Sequence, residues 1–588
     1  MRSSPRRLLA LLVVLVLAGL TGCVSIPTSG PVEKVEGQQP ACQSCVNVEV
    51  APPATGDSPR QVVDGFLRAN ANYQPGYAVA RQFLTRAAAE AWSPDQGVTI
   101  YNGSPVQQGG SIVLQGQVVG ALSEKRTFRA RQQNLNWDFR VEQENGEWRI
   151  AHPPSDLFVR DSSFETLYRS YDLHFVGSNG VLVPQPIYLP DLRAPGNVAS
   201  ALVNALLEGP SDWLSPAVTT AVPPDTSLSV DSVTIVNGVA QVPLSESVLQ
   251  TTEAARSLLA AQLVYTLQQV TGVKKVLLQV NNQPFRVPQS EIGDLAVPLE
   301  NVSAELNPVP YVRAEQLYAV RGSNQRLERV VANAEVPTTE PFPGGLGKGR
   351  QDISALAVSV TNTDLAVVTD QGTALRRTPT TGTDLTTVLD GVSGLLRPQF
   401  TRTGELYAIG ERGGRQRMWV TSAGRTAEVA APELFSQGRV LAFRISPDGN
   451  RVAVVVKSGG RTTLGLALLV RSARVAVEGW RELRTDIGLT DAMVEVVRDL
   501  AWTNGTELVV LGADTAGGPF VPSTLSIDGS EIESEPQSND WDAVELTVLL
   551  RTQTAITLVL ARDGRCFRDD GAQWQQLLSD VSSIAYPG

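Results

Sequence analysis

Residues 440–456 read VLAFRISPDGNRVAVVV, in which two apolar runs flank the polar turn Pro447-Asp448-Gly449. The same design recurs as ISALAVSVTNTDLAVVT at 353–369, RPQFTRTGELYAI at 397–409 and DLAWTNGTELVVL at 499–511. The turns lie roughly 40 to 55 residues apart, which is the repeat length of a four-stranded propeller blade. The sequence therefore predicts a β-propeller over residues 305–588, with about five or six blades.

The two ends of this region each carry part of one blade. Residues 316–320 and 327–330 form a strand pair with no inner partner beside it in the sequence, and residues 580–584, DVSSI, resemble the repeat opening DISAL at 352–356. We therefore expect the last strand of the chain to complete the blade that begins near residue 316. Such closure removes the open sheet edges of a linear array.

Helices followed by antiparallel strands are predicted upstream, over residues 58–160. Apolar residues recur at helical spacing after Ser58, and a second amphipathic helix is expected from Phe83 to about Ser93. Alternating apolar residues on both sides of Asn145-Gly146 then predict a hairpin, because this dipeptide favours the two-residue turn that joins twisted strands. This order resembles the α+β cone of nuclear-transport-factor-like (NTF2-like) proteins, and no acid and base pair indicates a catalytic pocket in it.

Residues 164–300 form the next predicted unit, which is again α+β. It contains a helix ending in LLEGP (206–210), the hairpin VNGVAQVPL (236–244), the helix segment QLVYTL (262–267) and the strand KKVLLQV (274–280). Together these pieces resemble the GerMN domain of envelope and sporulation proteins. The resemblance implies binding to other proteins or to cell-wall material, and no enzymatic role. Taken with the propeller, the fold class is multidomain and mainly β.

The chain begins with a short apolar run behind three arginines. About 13 apolar residues, from Leu8 to Leu20, would span about 20 Å as a helix, less than the roughly 30 Å of a bilayer core, which is typical of a signal peptide. The sequence Leu20-Thr21-Gly22-Cys23 resembles a bacterial lipobox. This implies a signal peptide at 1–22, cleavage after Gly22, and S-diacylglycerol and N-acyl (palmitate) groups on Cys23. The alternative is an ordinary secretory signal with an incidental cysteine.

Residues 23–57 are predicted to comprise the lipidated Cys23 and a flexible tether, because they are rich in Pro, Gly, Ser and charge. The full chain has 60 acidic and 49 basic residues and a formal net charge of −11. Loss of the signal-peptide arginines takes this charge to about −14, so lipid on Cys23 is expected to hold the protein at the extracytoplasmic face of the cell membrane without help from surface charge. The acidic balance also argues against a nucleic-acid partner.

Few residues in the sequence are candidates for a catalytic, redox or metal-binding role. Cys42 and Cys45 lie in the tether, where a local disulfide or a pair of idle thiols is favoured over a redox motif or half of a zinc site, because no strand-to-helix context follows and no second ligand pair exists elsewhere. Cys566 is expected to be a small buried side chain. The 2 histidines, His152 and His174, lie outside the propeller, which excludes a Ser-His-Asp triad borne by it. We predict no catalytic, metal-binding or cofactor-binding residue.

Two further segments invite a functional interpretation. Residues 344–348, GGLGK, lack the first glycine and the following Ser or Thr of a phosphate-binding loop and are predicted to be a flexible linker. Residues 528–535, DGSEIESE, do not have calcium-loop spacing and are predicted to be a solvated turn. A glycosidase activity that uses two carboxylates is still possible, because 60 acidic residues are available. Nothing in the sequence singles out two of them as a catalytic pair.

The order of signal peptide, tether, cone-like domain, GerMN domain and C-terminal propeller resembles the actinobacterial LpqB lipoprotein family over essentially the full chain. The resemblance implies a membrane-anchored accessory protein without enzymatic activity. It further implies contact with the extracytoplasmic domain of the sensor histidine kinase MtrB, and modulation of MtrA/MtrB two-component signalling in cell-wall homeostasis and cell division. The competing interpretation is an envelope protein that binds or hydrolyses peptidoglycan or another wall polymer.

Overall fold

The computed structural model describes residues 50–588 apart from residues 292, 311–314, 332–336, 486–493, 535–540, 552–553, 570 and 572. Residues 50–588 pack as one unit. The predicted signal peptide, Cys23 and the pair Cys42 and Cys45 lie outside the described residues.

The first domain begins with helix α1 (Pro59–Ala71), which Ser58 caps. The Ser58 hydroxyl accepts a hydrogen bond from the backbone N–H of Gln61 at 3.4 Å, and the Gln61 side chain accepts one from the backbone N–H of Ser58 at 2.9 Å. This reciprocal capping box satisfies N–H groups that the start of a helix leaves unpaired. The buried face of α1 packs on the strands that follow.

Two short helices follow, α2 (Ala78–Gln82) and α3 (Arg86–Ala91). The sequence predicts an amphipathic helix that begins at Phe83. This predicted start is wrong, because the helix begins at Arg86. The carbonyl of Phe83 accepts a hydrogen bond from the N–H of Ile150 at 2.9 Å, and the carbonyl of Ile150 accepts one from the N–H of Thr85 at 2.9 Å. This bridge to a distant strand interrupts the helix, and the Thr85 side chain then caps α3.

The strands of the first domain are β1 (Val98–Gln108), β2 (Ser111–Leu122), β3 (Phe128–Asp138), β4 (Val141–Glu144), β5 (Glu147–Ile150) and β6 (Leu157–Arg160). One sheet has the order β3-β2-β1-β6, with β1 and β6 parallel. The predicted hairpin is present as β4 and β5. Its two turn residues, Asn145 and Gly146, have φ values of 56° and 84°, as a two-residue turn between twisted strands requires.

The second domain contains α4 (Asp161–Leu167), β7 (Tyr168–Gly177), β8 (Leu182–Pro190), α5 (Pro195–Leu207), β9 (Val218–Thr219), β10 (Thr234–Val236), β11 (Val239–Leu244), α6 (Glu253–Leu267), β12 (Lys275–Val280), β13 (Gln283–Pro284) and β14 (Val297–Pro298). Strands β8-β7-β9 form one sheet, and β10-β11-β12-β13 form a second, to which β14 adds by pairing with β12. Helix α6 contacts both β7 and β12. The α5 helix ends just before Gly209, whose φ of 81° suits a helix C-terminus.

Six four-stranded antiparallel sheets follow in the part of the chain that the structure describes. Their strands are β15 (Leu317–Arg321), β16 (Leu327–Val331), β17 (Thr338–Pro341), β18 (Ala355–Val358), β19 (Asp364–Thr369), β20 (Ala374–Pro379), β21 (Thr386–Leu389), β22 (Gln399–Phe400), β23 (Leu406–Arg412), β24 (Arg415–Ser422), β25 (Arg425–Val429), β26 (Arg439–Ile445), β27 (Arg451–Ser458), β28 (Arg461–Arg471), β29 (Val475–Leu483), β30 (Val496–Trp502), β31 (Glu507–Ala513), β32 (Val521–Ser526), β33 (Ile532–Ser534), β34 (Ala543–Leu550), β35 (Ala555–Ala561), β36 (Cys566–Asp569), β37 (Trp574–Leu578) and β38 (Val581–Ala585). A short helix, α7 (Pro432–Ser436), precedes β26.

The ring is closed by the last strand of the chain. Strand β38 pairs antiparallel with β15, so the first sheet has the order β17-β16-β15-β38. The innermost strands contact one another in the cyclic order β38, β18, β22, β26, β30, β34 and back to β38. The prediction that one terminus completes the blade begun by the other is therefore confirmed, and these six inner strands surround a central channel.

Two loop segments are packed more tightly than the sequence predicts. The predicted linker at 344–348 contains a single helical turn, Leu346–Lys348, and a Cβ on Gly347 would lie 1.7 Å from the carbonyl oxygen of Phe342. It is a tightly packed turn. The segment predicted to be a solvated turn begins buried, since Asp528 is 8% and Ser530 0% exposed. The hydroxyl of Tyr188, from β8 of the second domain, contacts the Ser530 hydroxyl at 2.5 Å and covers it.

Candidate functional site

The cysteine and histidine side chains that the structure describes are placed as packing or surface residues. Cys566 is a free thiol at 0% exposure, and burial raises its pKa to about 12. His174 lies on β7 at 6% exposure, where burial lowers its pKa to about 3, so the ring is neutral at physiological pH. His152 is exposed and stacks on Trp137 with 4.8 Å between ring centroids.

No group of three or more His, Cys, Asp or Glu side chains among the described residues is arranged to hold a metal ion. Of the helices between Val50 and Gly588 that the structure describes, none has the length and apolar character needed to cross a bilayer.

Two ion pairs lie in the central channel of the propeller, one between neighbouring inner strands and one between opposite sides of the ring. Arg444 on β26 donates from Nη2 to Oδ1 of Asp499 on β30 at 2.8 Å. Arg397, just before β22, places Nη1 3.2 Å from Oε1 of Glu545 on β34. The most exposed of these four side chains is Glu545, at 20%. We call these four residues the channel clamp.

Arg397 ties three different sheets together. Its guanidinium donates hydrogen bonds at 3.2, 2.8 and 2.6 Å to the backbone carbonyl oxygens of Leu356, Leu546 and Ile584. These carbonyls belong to β18, β34 and β38, which are inner strands of separate sheets. A planar guanidinium with several fixed donors is suited to this role, which a lysine could not reproduce.

The two carboxylates of the channel clamp also accept hydrogen bonds from neighbouring inner strands. Asp499 Oδ2 accepts from the N–H of Leu546 at 3.0 Å, in addition to the Arg444 contact at Oδ1. Glu545 Oε1 accepts from the Ser583 hydroxyl at 3.0 Å and from the N–H of Ile584 at 3.2 Å. Each acid therefore links two inner strands.

Burial acts on the ionisation of the channel clamp in opposite directions for acid and base. It raises the pKa of Glu545, and the neighbouring Arg397 charge works against that increase. It lowers the pKa of Arg444 to about 10, and the Asp499 charge works against that decrease. Arg444 therefore stays charged at neutral pH. Acids that accept hydrogen bonds from arginines and from backbone N–H groups in this way act as structural links between blades.

The space on each side of the channel clamp is small. One cavity of about 60 Å³ lies at the end of the channel lined by Pro310, Trp502 and Tyr586. A second, of about 270 Å³, lies at the end lined by Ser354, Leu441 and Val544. Both cavities are lined in part by Arg397 and Arg444, so the channel clamp separates them. Small-molecule sites usually measure about 300–1,000 Å³, so the first cavity is far below this range and the second lies just under its lower end.

A second buried charge joins the propeller to the second domain. Arg451 on β27 is 1% exposed and pairs with Asp448, which is 0% exposed, at 2.5 Å. Its guanidinium also donates to the carbonyl of Pro184 on β8 at 3.1 Å and to the carbonyl of Gly505 at 2.6 Å. The two domains share apolar packing as well, because Leu468 of the propeller belongs to the core of the second domain.

The channel clamp was missed by the sequence interpretation, although a signal for it was present. Arg444, Asp499 and Glu545 each interrupt an otherwise apolar strand at the start of a repeat, in VLAFRIS, VVRDLAW and AVELTVL. A charge inside an inner strand faces the channel, where another inner strand can supply its partner. The burial of Arg451 had no comparable signal in the sequence, because a residue that follows a Pro-Asp-Gly turn is ordinarily exposed.

Comparison with known proteins agrees with this architecture. Residues 52–165 match the family model described as the lipoprotein LpqB N-terminal domain, and residues 329–587 match the lipoprotein LpqB beta-propeller domain. Residues 172–286 match the Germane model, described as sporulation and spore germination.

Relatives match over nearly the whole chain. Lipoprotein LpqB of Cutibacterium acnes is 30% identical over 623 aligned positions, covering 100% of this chain and 99% of the relative. Lipoprotein LpqB of Streptomyces avermitilis is 26% identical, covering 97% of this chain and 96% of the relative. With two LpqB domain models, the Germane model and a full-length relative at this identity, the chain belongs to the LpqB lipoprotein family.

Proposed function

We propose that the mature protein is a lipoprotein anchored by Cys23 to the extracytoplasmic face of the cell membrane, where it acts as a non-enzymatic accessory protein. It binds the extracytoplasmic domain of the sensor kinase MtrB and modulates MtrA/MtrB signalling in cell-wall homeostasis and cell division. The observation that supports an interaction role over an enzymatic one is the channel clamp. Arg444–Asp499 and Arg397–Glu545 fill the centre of the propeller with paired charges, so its outer surfaces are left for recognition.

One surface has features that suit a protein partner. Strand β10 lies at the edge of its sheet, and Val236 at its end is 49% exposed. Val230, just before the strand, is 54% exposed. An unpaired strand edge with exposed apolar side chains can receive a segment of another protein through backbone hydrogen bonds and apolar contact.

The kinase contact is tested with residues 50–588 and the purified MtrB extracytoplasmic domain. We expect binding in the micromolar range or tighter, and at least a tenfold loss of affinity in Val236→Lys. Leu249→Lys is the matched control, because Leu249 is similarly exposed at 44% but lies outside β10. An absence of binding at tens of micromolar would contradict the kinase-partner proposal, and equal losses in the two variants would contradict the proposed edge.

Lipid anchoring is expected to depend on Cys23 alone. In the full-length protein expressed in an actinobacterial host, Cys23→Ala should abolish metabolic labelling with palmitate and move the protein out of the membrane fraction or leave it unprocessed. The reason is that two or three acyl chains hold a protein on a bilayer, whereas an acidic body does not. Cys42→Ala is the control and should keep full labelling. Labelling of Cys23→Ala at the level of the unchanged protein would refute the anchor.

A further inference from the structure

A polar cleft lies where the three domains meet. It has a volume of about 530 Å³, and its lining includes Arg129 and Arg131 of β3, Gln185 of β8, and Arg481 and Asp528 of the propeller. We call it the junction cleft. Its volume lies in the range of small-molecule sites, which often form at domain interfaces. It is separate from the channel clamp, with which it shares no lining residue.

Buried polar atoms of the residues that line the junction cleft lack hydrogen-bond partners among the described residues. These atoms are Gln185 Nε2, Asp528 Oδ2 and Arg451 Nε, on side chains that are 5%, 8% and 1% exposed. The side chains themselves are held in place. Gln185 Oε1 accepts from the N–H of Ser211 at 2.8 Å, and Asp528 Oδ1 accepts from the Ser530 hydroxyl at 2.7 Å. Buried polar groups are nearly always paired in folded proteins, so two donors and one acceptor left over in one place mark a site that a polar ligand or bound water fills.

Positive charge accumulates in the same part of the junction cleft. Arg481 lies 4.4 Å from the centre of the Trp213 ring and donates to the carbonyl of Ile527 at 2.9 Å. The charged groups that act on it most strongly are one acid, Asp528, and two further arginines, Arg129 and Arg451. Arg129 and Arg131 are exposed, so their guanidinium groups are accessible to an anion.

Acidic side chains line the junction cleft as well. Glu124, Asp156 and Asp212 are part of its lining. Carboxylates repel an anion but accept hydrogen bonds from hydroxyl groups, as Asp528 Oδ2 can. A simple anion such as phosphate would leave these acceptors unused, and a neutral sugar would leave the arginines unused. Both sets of groups are satisfied by one molecule that carries an anionic group and several hydroxyls.

We propose that the junction cleft binds a small hydroxylated anion of the sugar-acid or sugar-phosphate class. The anionic group lies between Arg129, Arg131 and Arg481, and the hydroxyls bond to Asp528 and Gln185. Because all three domains contribute groups, such a ligand bridges them. The site is independent of the kinase contact proposed at β10.

The proposal is tested by titration calorimetry of residues 50–588 with glucose 6-phosphate, glucuronate, glucose and inorganic phosphate. We expect at least one of the two anionic sugars to bind at least tenfold more tightly than either glucose or inorganic phosphate. Absence of binding by both anionic sugars at 10 mM would overturn the proposal. Phosphate binding as tightly as glucose 6-phosphate would overturn the sugar assignment, as would a tetraglutamate peptide binding as tightly as glucuronate.

Variants locate the binding site. The double variant Arg129→Ala and Arg131→Ala should weaken the anionic sugar at least tenfold and should leave the melting temperature of the free protein unchanged, because both side chains are exposed on β3. Arg425→Ala, an equally exposed arginine on β25 of the propeller, is the control and should bind as the unchanged protein does. Undiminished binding by the double variant would overturn the assignment to the junction cleft. An oligosaccharide ending in glucuronate should bind more weakly than free glucuronate, and tighter binding would overturn the small-molecule assignment.

Discussion

Arg451→Met is expected to lower the free energy of unfolding by about 3–5 kcal/mol, the usual cost of removing one partner from a buried ion pair. Arg451 is 1% exposed, and the variant leaves Asp448 buried at 0% exposure without its cation. It also removes the donors to Pro184 and Gly505. Since Pro184 belongs to the second domain, we expect that domain to be released from the propeller before the propeller itself unfolds.

The measurement is denaturant unfolding of residues 50–588, followed by tryptophan fluorescence and by limited proteolysis. Arg417→Met is the matched control. Arg417 pairs with Glu428 at a similar distance, 2.7 Å, but the two side chains are 39% and 51% exposed. An exposed pair contributes about 1 kcal/mol or less, so the control should unfold almost as the unchanged protein does. A loss below about 1 kcal/mol in Arg451→Met would show that burial of this charge does not join the two domains.

A second substitution tests the electrostatic explanation for the Arg451 effect. Burial raises the pKa of Asp172, on β7, to about 6, while the Arg451 charge and a hydrogen bond from Thr506 work against that increase and the Asp528 charge adds to it. A carboxyl whose pKa is raised by folding contributes stability below its unfolded pKa, and this contribution is lost as the pH rises through the folded pKa. In the Arg451→Met background, the stability restored by Asp172→Asn should therefore be larger at pH 7.5 than at pH 5, by about 1–2 kcal/mol. Equal recovery at both pH values would contradict a charge effect.

Local patterns in the sequence predict most of the fold. The alternating runs and Asn-Gly turns predict the hairpin at 141–150, and the likeness between DVSSI and DISAL predicts that β38 closes the ring. The start of α3 could not be predicted this way, because what interrupts the helix is a bridge from Phe83 and Thr85 to Ile150, far along the chain. Helical spacing carries no information on such a partner.

The sites were less accessible from sequence because each depends on residues from distant segments. Asp528 begins an acidic stretch that is typical of a solvated turn, and it is buried only because the second domain covers it through Tyr188 and Ser530. The channel clamp joins residues whose nearness is created by ring closure. Gln185 and Asp528 meet in the junction cleft although they are separated by most of the second domain and the propeller. The composition of the chain argues against some classes of function, but only the packing of the folded chain brings the residues of the channel clamp and of the junction cleft together.

Removal of residues 579–588 is expected to prevent the propeller from reaching its native state. The deletion removes β38, whose pairing with β15 closes the ring. It exposes the partners of Val581, Ile584 and Tyr586, which are 4%, 0% and 5% exposed. Loss of a buried aliphatic or aromatic side chain typically costs about 2–5 kcal/mol, so three of them approach the roughly 5–15 kcal/mol by which a whole domain is stable.

The deletion also undoes the channel clamp, which makes its effect larger than a sum of side chains. Arg397 loses its bond to the carbonyl of Ile584, and Glu545 loses the Ser583 hydroxyl and the N–H of Ile584. Two charges are then left in the channel with fewer partners, next to an unpaired edge of β15 and a ring that can open between β34 and β18. We expect soluble aggregates in size exclusion and loss of the near-ultraviolet circular dichroism signal.

Single substitutions in β38 distinguish the effect of ring closure from the effect of shortening the chain. Ile584→Ala, at a position with 0% exposure, should cost about 2–5 kcal/mol. Ser582→Ala, whose exposed side chain on the same strand donates only a long hydrogen bond of 3.4 Å to the carbonyl of Val320, should change stability by less than about 1 kcal/mol. If the truncated chain melted within about 2 °C of the full protein, ring closure would not be what holds the sheets together. The graded series, from Ser582→Ala through Ile584→Ala to the deletion, should instead fall in that order, because stability follows the area and the hydrogen bonds that β38 contributes.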